Sequence, residues 1–117
     1  MTPARRKVRL LRLLQVARMI RDARLAQLRQ ANDACQQTEA ALHALVPQCA
    51  IASEDGHGAL LAAERHARWV AARRAALNAT LARQRVDVEA AQAQARRAFG
   101  KAQAVESLLR RLEQRGR

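Results

Sequence analysis

From Leu60 onward, alternating steps of three and four residues trace one line: Leu60, Ala63, Ala67, Val70, Arg74, Leu77, Leu81, Gln84, Val88, Ala91, Ala95, Ala98, Ala102, Val105, Leu109, Leu112. Only Arg74 and Gln84 on that line are polar. This spacing puts an apolar seam along a single helix, with the 3.5-residue repeat of a coiled coil. At about 1.5 Å per residue, the helix is roughly 80 Å long. Such an element has no room for a conventional enzyme pocket. The functional question becomes what its surface touches.

The rest of the chain supports one fold class: all-α, two long helices in an antiparallel coiled-coil hairpin, as a single domain over residues 1–117. Half of the residues are hydrophobic but only 2% are aromatic, and Ala, Leu, Arg and Gln, all strong helix formers, dominate. No stretch alternates with period two over the length of a strand. Thr2 and Pro3 suit the N-cap and first position of a helix over 3–46. Its apolar face reads Leu10, Leu11, Leu14, Ala17, Ile20, Leu25, Leu28, Ala31, Cys35, Leu42, Leu45 and Val46. Polar Arg18, Arg21, Asn32 and Glu39 fall near that stripe, which is looser than the second. Pro47 is expected to end the helix. A turn follows over 47–58, with Ser53 or Asp55 as the cap of a second helix over 59–115 and Gly116 just past its end.

Neither helix is stable alone without its apolar face covered. A tight turn sets Val46 near Gly58, so the numbers of facing residues should add to about 104. Leu10, Leu11 and Leu14 would then face Ala91, Ala95 and Ala98. The second helix would outrun the first, leaving Val105, Leu108, Leu109 and Leu112 bare. Grouped exposed apolar residues mark an interface. Homodimerisation through that end is the plain alternative.

Charge is segregated. The chain has 22 Lys and Arg, 10 Asp and Glu, and a net charge of +12. Residues 1–24 hold eight bases and one acid, and residues 96–117 hold seven bases and two acids, so together they account for the whole net charge. A hairpin sets those segments side by side. Arg5, Arg6, Lys7, Arg9, Arg12, Arg96, Arg97, Lys101, Arg110 and Arg111, with the bare apolar residues, form the predicted docking surface for an acidic, partly apolar socket. Trp69 lies just outside the seam, where it either flanks the core or meets a partner.

No catalytic or cofactor chemistry is visible. There is no phosphate-binding glycine loop, no Cys-x-x-Cys and no nucleophile elbow. His43, His57 and His66 are scattered and read as surface histidines. Cys35 and Cys49 read as free thiols in a reducing compartment. No apolar run reaches the roughly 18 residues of a membrane span. No cofactor is expected.

The runs Asp22-Ala23-Arg24-Leu25-Ala26-Gln27-Leu28 and Ala34-Cys35-Gln36-Gln37-Thr38-Glu39-Ala40-Ala41-Leu42-His43-Ala44-Leu45 resemble the first helix of the FliJ family of flagellar export stalk proteins. Arg68-Trp69-Val70 and the closing segment from Lys101 to Arg115 are similar to the family's second helix. The resemblance, which extends to the YscO-type proteins of virulence type III secretion, implies a cytoplasmic bacterial stalk at the inner-membrane export apparatus. It also implies three partners: the central pore of a hexameric export ATPase, an export gate protein and secretion chaperones. The absence of Tyr and the Pro- and Gly-containing turn depart from the flagellar pattern and favour the virulence branch. The competing reading is a basic coiled coil that binds nucleic acid through Arg–phosphate contacts. It lacks aromatic residues for stacking and any recognised reader motif. A self-assembling or membrane-surface helix is the third reading.

Overall fold

A computed structural model describes residues 2–48 and 56–116. The fold is all-α, two long helices paired antiparallel: α1 over Pro3–Gln48 and α2 over His57–Arg115, with no strand among the described residues. Thr2 caps α1 as expected. Its Oγ1 accepts from the Arg5 backbone N–H at 3.4 Å and its carbonyl from Arg6 at 3.2 Å. Pro47 does not end α1, which runs to Gln48. α2 begins two residues earlier than the sequence predicts. Ser53 and Asp55, the predicted caps, lie outside the described residues. Gly56, at a φ of 137° that favours glycine, offers the carbonyl that accepts the Leu60 N–H at 3.1 Å.

The contacts divide the chain into two compact units. The terminal unit comprises residues 1–30 and 88–117, and the loop unit residues 31–87. In the terminal unit, Leu14 packs with Val105 and Leu109, flanked by Leu10. Across the helices, Arg18 meets Glu106 at 3.1 Å, Arg24 meets Gln94 at 3.0 Å and Lys7 meets Glu113 at 3.9 Å. In the loop unit, Leu45 packs with Val70 and Leu77, flanked by Ala41 and Leu42. Thr38, a buried polar residue, donates its hydroxyl to the Gln84 side-chain oxygen at 2.6 Å and sits 3.1 Å from the Ala34 carbonyl. Arg85 and Glu39 pair at 3.7 Å.

These pairs correct the register. Within each unit, facing residues add to about 122 rather than about 104, a difference of roughly five turns of helix. The tight-turn assumption is what failed: the end of α1 faces α2 well beyond its start. The seam itself is real from Val70 to Leu112. Val70, Leu77, Leu81, Ala95, Ala98, Ala102, Val105 and Leu109 are buried along it. Before Val70 it is uncovered, with Leu60 65% exposed. The unmatched stretch of α2 is therefore its beginning, not its end. On α1 the core line passes through Thr38, while Leu11 and Ile20, read as core, are about half exposed.

The Thr38–Gln84 bond sets two polar groups against each other inside an apolar seam. Thr38→Val or Gln84→Leu alone strands its partner and should cost about 1–2 kcal/mol in chemical unfolding. The double substitution should recover most of that loss. Additive losses would show that the pair does not interact.

Candidate docking surface

The terminal unit holds sixteen bases and four acids, a net +12, and the loop unit holds six of each. The entire net charge of the chain thus belongs to one unit. Three of its four acids are already engaged. Glu106 takes Arg18 at 3.1 Å and Arg110 at 3.8 Å, Glu113 takes Lys7 at 3.9 Å, and Asp22 takes Arg21 at 3.3 Å. Exposed pairs of this kind contribute up to about 1 kcal/mol each, enough to orient side chains but not to neutralise the surface. Arg5, Arg6, Arg9, Arg12, Arg96, Arg97, Lys101 and Arg111 are exposed and make no ion pair among the described residues. Antiparallel pairing brings these two basic segments onto one unit, as the sequence predicts.

The apolar half of the predicted surface is corrected. Val105 and Leu109 are 7% and 6% exposed and form the core with Leu14. Leu112 is half-buried, and only Leu108, at 48% exposure, faces outward. The register explains the change: the end of α2 lies against α1 instead of beyond it. The exposed apolar residues of the unit come mainly from α1. Val8, Leu11, Leu13, Val16, Met19 and Ile20 all keep roughly half or more of their area exposed. Sequence reasoning missed this surface. The signal was present, since nine of the thirteen residues from Val8 to Ile20 are apolar. A helix with one partner needs about three to four apolar positions per two turns.

Phe99, the chain's one phenylalanine, lies under the Arg21 guanidinium at 5.6 Å from the ring centre. Trp69 falls in the loop unit, apart from the other predicted site residues. It is 54% exposed and stacks on His66 at 6.0 Å between ring centres. Cys35 is a buried free thiol, and Cys49 lies outside the described residues. Among the described residues, no three His, Cys, Asp or Glu side chains come together to hold a metal. No helix among them is long and apolar enough to cross a membrane. Comparisons with protein-family models, curated proteins and solved structures find no match for the chain.

Adjacent leucines now have opposite roles. Leu109→Ala should destabilise the chain by about 2–4 kcal/mol, as for other buried leucines, and Leu108→Ala by well under that. Thermal unfolding followed by circular dichroism separates them. Equal losses would put Leu108 in the core as well.

Proposed function

We propose that the chain is a stalk and coupling protein of a type III protein export apparatus, and that its terminal unit docks into the central pore of the hexameric export ATPase. The observation that carries this reading is the confinement of the whole +12 to the unit formed by both chain termini. A surface that only kept the chain soluble would mix its charges. This one leaves eight predicted docking bases unpaired beside exposed apolar side chains, which suits an acidic, partly apolar socket. The identity of the socket, and the further links to an export gate and to secretion chaperones, come from the resemblance to the FliJ and YscO-type stalks. The absence of Tyr favours the virulence branch. In this role the protein is no enzyme itself. It would act in the bacterial cytoplasm, beside the inner-membrane apparatus.

The second reading, a nucleic-acid-binding coiled coil, draws on the same bases. It is disfavoured by an aromatic content of 2%, which leaves almost nothing on which to stack bases.

The decisive experiment measures ATP hydrolysis by the type III export ATPase of the same organism as the chain is titrated in. Stimulation is expected, falling as salt rises, because screening shortens the reach of exposed charges to about 8 Å at physiological ionic strength. Replacing Arg5, Arg6, Arg9 and Arg12 with Glu should abolish it while leaving helicity unchanged. Tight binding of duplex DNA at physiological salt, with no effect on the ATPase, would reverse the order of the two readings.

A further inference from the structure

The terminal unit has a groove of about 530 Å³ along one side, between α1 and α2. Its wall on α1 is Leu13, Val16 and Ile20, at 51%, 51% and 48% exposure. With Ala17, these stand at i, i+3, i+4 and i+7, a complete helical stripe. The stripe is additional to the one through Leu10 and Leu14 that meets α2. The more buried lining is mostly small: Ala17 from α1, and Ala98 from α2 beside Val105, with exposed Ala104 at the edge. Small residues at the bottom of a groove let another backbone come close. Leucine-sized walls supply the surface that closes over it. The groove extends over twelve residues of each helix, Leu13 to Arg24 and Gln94 to Val105, roughly 16 Å or three helical turns.

Its rim is cationic. Arg24, Arg97 and Lys101 line it, and no Asp or Glu does. Arg97 and Lys101 make no ion pair among the described residues. Arg24 donates to the side-chain oxygens of Gln27 and Gln94, both at 3.0 Å, and makes no ion pair among the described residues. An apolar trough edged by unsatisfied cations specifies its occupant on both counts. The apolar stripe calls for the apolar face of a helix. The cations call for carboxylates along that helix's flanks. A second copy docked through the same unit fits the shape but not the charge, because it brings another +12 against the first.

We infer that this groove binds an acidic amphipathic helix of a partner protein, which lies along α1 and α2 and completes a local three-helix bundle. The inference rests on reading the terminal unit as the docking unit. It does not depend on the partner being an export ATPase.

The probe is a fluorescein-labelled synthetic peptide of about 18 residues, with Leu and Ile at i, i+3, i+4 and i+7 and Glu on both flanks. A peptide of the same composition in shuffled order is its control, and anisotropy is read against the full chain. The ordered peptide should bind at least about ten-fold more tightly than the shuffled one, because a patterned face gains from packing as well as charge. Val16→Glu with Ile20→Glu should remove that preference. Arg97→Glu with Lys101→Glu should weaken binding by about ten-fold or more. Both pairs are exposed, and circular dichroism should show the helices intact. Equal binding of ordered and shuffled peptides, or full affinity in the Val16/Ile20 variant, would overturn the inference. So would a dimer in sedimentation at micromolar concentration that Val16→Glu with Ile20→Glu disperses, since a second copy would then be the occupant. A chain that stimulates the ATPase but shows no ordered-peptide preference refutes this inference and leaves the proposed function standing. The reverse result leaves the groove and removes the ATPase.

Discussion

The fold depends on one constraint: within each unit the apolar seam of α2 is covered by α1, in a register whose facing residues add to about 122. Gln84 interrupts that seam, and Thr38 is the residue of α1 placed to receive it, at 2.6 Å. A slip of one heptad would set Gln84 against Ala31 or Leu45, and Thr38 against Leu77 or Ala91. Each slip leaves a polar group facing apolar side chains, a loss of about 1–3 kcal/mol. It would also separate Leu14 from Val105 and Leu109, the packing that holds the terminal unit together. Between Gln84 and Val105 the seam of α2 is mostly alanine, Ala91, Ala95, Ala98 and Ala102, and small side chains discriminate weakly between registers. The polar pair and the leucine cluster discriminate strongly, and there is one of them in each unit.

Register then decides what each surface residue is for. Because the end of α2 lies against α1, the acids near that end meet bases across the helices: Glu106 with Arg18, Glu113 with Lys7. These contacts are too exposed to contribute much stability. Their consequence is subtractive. They engage two of the four acids of the terminal unit, and among the described residues Arg5, Arg6, Arg9, Arg12, Arg96, Arg97 and Arg111 make no ion pair. A unit this basic repels itself. It gains most from a partner that supplies the carboxylates it lacks.

Much of this was legible in the sequence, and what was not has a physical cause. The line from Val70 to Leu112 is the observed seam at every position but Arg74, which is exposed, because a continuous helix preserves its period whatever it packs against. Thr2, Pro3 and Gly116 mark the described helix ends where cap chemistry places them. The core line of α1 was harder to read because Arg21, Arg24 and Thr38 fall along it. Long side chains can bury their stems beside a seam while their charged heads stay wet, so charge alone does not take a position off the line. The register was misread for a different reason. Periodicity fixes which face of a helix is buried, but not where along its partner it sits. A tight turn was the only available anchor, and the pairing of the described residues does not follow from one. The position of Gln84 in the seam, and of Thr38 at heptad spacing from Cys35 and Leu45, would have been the better guide.

The same shift relocates the functional question from α2 to α1. With Val105 and Leu109 inside the core, the last turns of α2 have little apolar surface to offer. α1 has too much for a helix with one neighbour. A helix in a two-stranded coiled coil buries one stripe, and between Val8 and Ile20 this one carries two. A second stripe is not needed for the hairpin, and its exposure to water carries a cost of about 25 cal/mol per Å² relative to burial. Several half-exposed branched side chains on one face, next to cations with no internal partner, are therefore two deficits at the same place. A single acidic amphipathic helix would resolve both.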